Sequence, residues 1–385
     1  MKKAILKVLA LCMCLCMVAG VFAACGDKKE DAIVIGLSGP LTGAASVYGV
    51  AVKNAAQMAV DEINEAGGLE GVPFKLLALD DKHDASNVET NYSSMVDQGM
   101  QVALGCVTTN PGLEFAALSA EDNLFFITPS ASANEIVLKG DNAYQMCFAD
   151  GNQGSVAAEY VNSLGLDEIG IFYKSDDNYS KGIYDQFKAT LDSGVNTVEA
   201  AFTGDDSDFT TQITALQGCK FIFMPIYYTP ASNFMTQAKG KIADDATYYG
   251  CDGFDGIESA EGFEIDGIPQ KISMLSHFNS KAEDGAAGEF ITKYKEAFGA
   301  DTLNQFGASA YDCVYALYNA MKAAIEDGEE INADTSASDL CDILKEQFNG
   351  GFSYSGVTGD DIKWESEGYV QKEAIAYIIK ENTNA

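Results

Sequence analysis

From Ala32 onward the chain alternates short apolar runs with stretches in which apolar residues return at helical spacing. The run AIVIGL (32–37) reads as a strand. After it, Val52, Ala55, Ala56, Ala59, Val60 and Ile63 fall on one helical face, and Gly67-Gly68 supplies a stop. The strands FKLLAL (74–79), QVALG (101–105) and LFFIT (124–128) follow, separated by helical patterns near 87–97 and after Pro111. Repetition of this kind builds a parallel sheet with helices on both faces.

A second series follows, with strands EIGIFY (168–173), TVEAAF (197–202), KFIFMP (220–225) and ATYYG (246–250) and helical patterns beginning near Tyr179, Asp208 and Ala231. The strand KISMLS (271–276) leads into long helical patterns at 281–298 and 305–326, which suit completion of the first sheet. Past Gly351 the chain turns strand-like again, in DIKW and EAIAYII. A chain of 385 residues also exceeds the size at which one core stops growing. The expectation is an α/β protein of two doubly wound parallel-sheet lobes. Residues 32–149 with 276–356 form the first lobe, and 150–275 with 357–385 the second.

Polar residues gather just after strand ends. GPLTGAASVYG follows the first strand, CVTTNP the third and TPSAS the fourth; SDDNYS, PIYYTP and CDG hold the matching places in the second series. Ligands of open α/β sheets lie outside the carboxyl ends of the strands, so these six loops are expected to converge on one cleft that encloses a small molecule.

The N-terminus belongs to a different pattern. Lys2, Lys3 and Lys7 precede an apolar run over 8–22, and Ala23-Ala24 stand before Cys25. Residues 1–24 read as a signal peptide, and the run resembles a bacterial lipobox in which Cys25 is lipidated, although Phe22 stands where that motif usually has leucine. Residues 25–31 then form the lipidated cysteine and a short charged tether, which places the protein outside the cytoplasmic membrane and anchors it there.

The formal charge is −33, and loss of the three signal-peptide lysines makes it more negative still. Such a surface repels nucleic acid and anionic lipid. All 24 basic residues are lysine, so an anionic ligand must be held by hydroxyls, backbone amides or an ammonium in place of a guanidinium fork. Gly36, Gly39 and Gly43 do not have GxGxxG spacing, and no GxxxxGK[ST] or GxSxG occurs. His83 and His277 are the only histidines, and DDSD (205–208) lacks the pattern of a calcium loop, with Asp208 better read as a helix cap. Cys106, Cys147, Cys219, Cys251, Cys313 and Cys341 show no CxxC spacing, which argues against zinc and leaves free thiols and disulfides both open. No enzyme, metal or cofactor is expected.

Taken in order, IGLSGPLTG, AVDEINEAGGLEG, LLALDD, GCVTTN, FITPSAS, NYSKG, DFTTQITAL and IKWESEGY resemble the branched-chain amino acid (Leu/Ile/Val-type) binding proteins of ABC importers, from Ile33 to about Lys380. The resemblance implies the type I periplasmic-binding fold, with two lobes joined by a multi-strand hinge. It implies that the α-carboxylate of an amino acid meets Thr109, with Thr108 beside it, and Ser130 and Ser132. Relatives usually have serine at the first site and threonine near the last, and both exchanges keep a hydroxyl. It further implies that Asp252, where glutamate is common, meets the α-ammonium, that Tyr179 and Tyr227 (or Tyr228) complete the cage, and that Tyr48 lines the side-chain pocket. Some relatives carry a disulfide between the loops after strands two and three; His83 stands near one of those positions, so the bridge is not carried over. The implied partners are ABC permease and ATPase subunits, with the membrane reached through the lipid on Cys25. The same fold also serves ligand-sensing receptors and binding proteins for amides or aromatic acids, which are the alternatives.

Overall fold

The computed structural model describes residues 31–383. The signal peptide, Cys25 and nearly all of the tether lie outside the described residues. Two sheets organise the rest. The first contains β1 (Ile33–Gly39), β2 (Phe74–Asp80), β3 (Val102–Cys106), β4 (Phe126–Thr128) and β5 (Ala143–Gln145), all parallel, in the order β2-β1-β3-β4-β5. The second contains β6 (Glu168–Lys174), β7 (Asn196–Phe202), β8 (Phe221–Met224), β9 (Thr247–Gly250), β10 (Lys271–Ser276) and β11 (Ile375–Lys380), in the order β11-β10-β9-β8-β6-β7. It is parallel except for β11, which pairs antiparallel with β10. In both sheets the first strand of the series has the second on one side and the third on the other, which is the switch point of a doubly wound fold.

The helices follow from the apolar spacing. In chain order they are α1 (Ser46–Glu65), α2 (Val88–Asp97), α3 (Thr109–Asp122), α4 (Asn134–Val137), α5 (Asp150–Ser163), α6 (Asn178–Thr190), α7 (Thr210–Leu216), α8 (Tyr228–Gln237), α9 (Gly285–Phe298), α10 (Gln305–Glu326) and α11 (Ala337–Asn349). On α1 the expected face, including Val52, Ala55, Ala56, Ala59, Val60 and Ile63, is buried. The long patterns at 281–298 and 305–326 became α9 and α10, and α10 packs on α1 in the first lobe. Burial of these apolar faces, at ~1.5–3 kcal/mol for each large aliphatic or aromatic side chain, is what holds the layers together against chain entropy. Among the described residues no helix is long and apolar enough to cross a membrane.

The chain passes between the sheets three times: between β5 and α5, between β10 and α9, and ahead of β11. The expected return to the second lobe at 357 comes later. Trp364 Nε1 donates to Gln145 O at 2.7 Å, its ring lies 4.6 Å from Phe348, and Gln145 N donates to Gly368 O at 2.9 Å. These contacts keep the chain on the first lobe nearly to Val370. DIKW does not form a strand but two isolated bridges, Tyr354 to Ile362 and Trp364 to Val370, because Trp364 is drawn into the α11 aromatic cluster. The six cysteines among the described residues are buried free thiols, so the pairing left open by the sequence resolves to none.

One local feature aims the first sheet at its ligand side. Between β1 and β3 the register skips Leu104, and Gly105 sits at φ +63°, where a Cβ would lie 2.7 Å from the Phe126 ring. This bulge turns the end of β3, and the residues that follow it, away from the straight ladder.

Candidate functional site

The six loops converge. They surround one small cavity, walled by Tyr48, Val107, Thr108, Thr109, Ser130, Ser132, Tyr179, Tyr227, Asp252, Gly253 and Phe306. The wall includes all eight residues expected to line it. Each arrives by a short route from a strand end. Tyr48 lies on the first turn of α1, and Thr108 caps α3 with extended backbone while Thr109 begins the helix. Ser130 and Ser132 sit in the turn after β4, where Thr128 Oγ1 donates to Cys106 O (3.1 Å) and accepts from Ala131 N (2.9 Å). Tyr179 opens α6 behind Asp177, whose carboxylate caps the helix by accepting from Ser180 N at 3.0 Å. Tyr227 precedes α8, and Asp252 begins the turn after β9.

The four hydroxyls of the first lobe differ in what they already hold. Ser130 Oγ donates to Val107 O at 2.6 Å, and Thr108 Oγ1 lies 2.9 Å from His83 Nδ1. Thr109 Oγ1 and Ser132 Oγ are buried with no hydrogen-bond partner. Buried polar groups are rarely left unpaired, so these two are donors presented to whatever occupies the cavity.

On the second lobe the charge is negative. Tyr179 donates its hydroxyl to Asp252 Oδ1 at 2.6 Å and accepts from Gly253 N at 2.9 Å, while Asp252 N donates to Gln153 Oε1 at 3.1 Å. Burial pushes the Asp252 carboxyl up to about 7, against the pull of the Tyr179 hydrogen bond. Gly253 must be glycine here, because a Cβ would stand 2.7 Å from both Ile226 O and the Tyr179 hydroxyl.

The remaining wall is aromatic. The Tyr179 and Tyr227 rings stack at 4.5 Å, Tyr48 meets Phe306 edge-on at 5.0 Å, and His83 meets Tyr227 edge-on at 5.1 Å. Tyr228, the alternative to Tyr227, instead packs behind Tyr48 at 5.0 Å, with its hydroxyl 3.4 Å from Val47 N. Hydrogen bonds close the cleft from lobe to lobe. Tyr48 donates to Gly253 O (2.5 Å) and accepts from Tyr228 N (3.2 Å), and Thr229 Oγ1 donates to Ala44 O (2.6 Å). Asn110 Nδ2 donates to Asp177 Oδ2 (3.0 Å), and Asn178 Nδ2 to Asn110 Oδ1 (2.8 Å).

Sequence reasoning did not single out Phe306, Asn110, Gln153 or His83 as parts of this region. Phe306 is hidden in the apolar stripe of α10, Asn110 stands in the CVTTNP loop without a role until Asp177 and Asn178 of the second lobe face it, and Gln153 looks like an ordinary helix residue until the turn after β9 meets it. Among the described residues no cluster of His, Cys, Asp and Glu is placed to hold a metal.

A cleft between two doubly wound lobes, walled by hydroxyls on one side and a carboxylate on the other and crossed by three chain segments, defines a solute-capturing protein that closes around its cargo. Comparison with known proteins agrees: residues 32–370 match the family described as periplasmic binding protein, and the chain belongs to that family. It is therefore a solute-binding protein of the extracytoplasmic space, not an enzyme. It is 30% identical over 335 residues to the Leu/Ile/Val-binding protein BraC3 of Rhizobium johnstonii, covering 85% of this chain and 88% of that one. Its fold is similar to that of the branched-chain amino acid transporter substrate-binding protein LivJ from Streptococcus pneumoniae in complex with isoleucine, with a TM-score of 0.78, 25% identity and coverage of 91% and 99%. A solute-binding protein of an ABC transporter from R. palustris in complex with benzoate shares the fold at 16% identity and a TM-score of 0.76, covering 91% and 94%.

Proposed function

We propose that this protein captures a branched-chain α-amino acid between its lobes and delivers it to an ABC importer. The observation that carries the reading is the polarity of the cavity: two uncommitted hydroxyls, Thr109 and Ser132, on the first lobe and the buried carboxylate of Asp252 on the second. The first lobe offers donors to an α-carboxylate, and the second offers an acceptor to an α-ammonium. Hydrogen bonds to a charged group contribute about 1.5–3 kcal/mol each, so a few neutral donors replace the arginine that the chain lacks. Only the closed form satisfies both ends of a zwitterion, and that difference in affinity drives closure. Tyr48, Phe306, Val107 and Tyr227 bound a small apolar remainder that suits an aliphatic side chain. The names of the relatives that bind leucine, isoleucine and valine support the same class.

The decisive experiment is a thermal-shift screen of protein refolded once to strip carried solute, against the amino acids, small amides and aromatic acids. Binding to the native state raises the melting temperature by mass action. A shift with Leu, Ile or Val is the expected result. Shifts confined to benzoates or amides would move the ligand class, and silence across the panel would favour a sensing receptor of the same fold.

The N-terminal features belong to the same proposal. Residues 1–24 direct export and Cys25 carries the lipid that keeps the protein beside its permease, with the ATPase across the membrane. Cys25→Ser should move the protein from the membrane fraction to the soluble fraction of fractionated cells; an unchanged distribution would reject the anchor.

A further inference from the structure

His83 is one of only two histidines in the chain, and it stands just outside the cavity wall. It follows β2 with φ at +62°, in the left-handed region, and its N–H donates to Asp81 Oδ1 at 2.9 Å, which braces the turn. The ring is seated from both lobes. On the first lobe its Nδ1 lies 2.9 Å from Thr108 Oγ1, and on the second Tyr227 meets the ring edge-on at 5.1 Å. Thr108 and Tyr227 are themselves wall residues, so His83 backs the wall at the seam where the lobes meet.

Burial pushes the pKa of the ring below its ordinary value; Asp177, Asp84 and Asp205 pull it back up, and Lys174 adds to the depression. The ring is therefore neutral near pH 7 and carries one hydrogen, on Nδ1 or on Nε2. That choice decides what Thr108 shows to the cavity. A bare Nδ1 takes the only hydroxyl hydrogen of Thr108 and leaves oxygen lone pairs facing inward. A protonated Nδ1 donates to Oγ1 and leaves the hydroxyl hydrogen free to turn toward a ligand. A carboxylate only accepts, and no lysine stands among the wall residues to offset an inward lone pair.

We propose that His83 is a positioning residue of the carboxylate site: its Nδ1–H donates to Thr108 Oγ1 and so turns the Thr108 hydroxyl into a donor for the ligand. This rests on the reading of the ligand as an α-amino acid and deepens it, since a carboxylate in the cleft selects one tautomer of a ring it does not touch. Tyr227 holds that ring in place from the opposite lobe, which sets the donor as the cleft closes.

The tautomer can be read directly. Full-length mature protein carrying isotope-labelled histidine is stripped of solute by one round of refolding and saturated with leucine, and long-range proton–nitrogen NMR spectra show which ring nitrogens carry hydrogen. The chain has two histidines, so the signals that vanish in His83→Asn belong to His83. A protonated Nδ1 in the leucine complex is the expected result, and a bare Nδ1 overturns the inference. Calorimetry on variants supplies a second readout. Asparagine tolerates the left-handed backbone and offers an amide nitrogen to Thr108, so His83→Asn should keep leucine affinity within about twofold. Glycine tolerates the backbone and offers no donor, so His83→Gly should weaken leucine by about 5- to 10-fold, and 4-methylpentanoate, which is leucine without its amine, by the same factor. Equal losses in the two variants would make the ring a packing element, and a loss confined to leucine would place its effect at the ammonium; either result overturns the inference. If His83→Gly does not fold, the spectrum of the leucine complex decides. Wild-type protein that binds no amino acid fails the functional reading, whereas protein that binds leucine with a bare Nδ1 fails this inference alone.

Discussion

Of the four hydroxyls that face the cavity from the first lobe, two are bound to protein and two are not, and the mutational response should follow that division. Thr109→Val and Ser132→Ala each remove an uncommitted donor, and each should weaken leucine binding by roughly 10- to 100-fold, the worth of a hydrogen bond to a charged group. Thr108→Val removes a partner of His83 and should cost less, which titration calorimetry on the three variants would order; equal losses at all three positions would sink the ranking. Asp252→Ala should cost more than any of them, by several kcal/mol, and a leucine affinity equal to that of the wild type would remove Asp252 from the ammonium site. The loops that hold the eight expected residues were legible because each follows a strand end or opens a helix, while the choice of residue within each loop came from the resemblance to the family. Phe306 was not legible for the opposite reason: in one dimension it is one apolar position of a long helical stripe, and it becomes part of the wall only when Tyr48 packs against it.

At the scale of elements, the starts of α3 and α6 form a latch across the cleft mouth. Asn110 donates to Asp177 and accepts from Asn178, while Asp177 also caps α6. Both bonds join one lobe to the other, so they stabilise closure without touching the ligand. Asn110→Ala should speed leucine dissociation by roughly 5- to 30-fold, the effect of about 1–2 kcal/mol, with association little changed; stopped-flow release rates equal to those of the wild type would show that the latch does not hold the cleft shut. Elements were legible where periodicity was long. The pattern over 305–326 became α10 to the residue. The buried face of α11, Leu340, Cys341, Leu344 and Phe348, lies between polar stretches and was not read. The three-residue strand β5 was too short to show a period, and DIKW alternates like a strand yet is held by side-chain stacking on Phe348 and Phe352. Local pattern carries the elements, and non-local packing decides where the chain crosses between lobes.

For the whole molecule, the acids buried by closure couple the cleft to pH. Burial raises the Asp252 carboxyl to about 7 and that of Asp255, which accepts from Gln305 N across the lobes, to about 6. Both would return toward the ordinary carboxylate range near 3.9 when the lobes part and water enters. Between pH 4 and 7 the closed form therefore binds more protons than the open one. Stability of closure is fully present below about pH 4 and is lost as pH rises through 6 and 7, by about 4 kcal/mol for Asp252 alone. A ligand ammonium reverses the sign at Asp252, because it favours the ionised carboxylate that water-free closure otherwise penalises. Solute-stripped protein should thus be compact at pH 5 and expanded at pH 8 in solution X-ray scattering, and leucine should restore the compact radius at pH 8. Asp252→Asn should reduce the pH dependence of the empty protein, because the amide cannot ionise in either state, and leave the share that Asp255 and the other buried acids contribute. A radius of gyration that does not change between pH 5 and 8 without ligand would mean that closure does not bury these carboxylates in solution. The same profile restored by 4-methylpentanoate as well as by leucine would mean that the amine is not what closes the cleft.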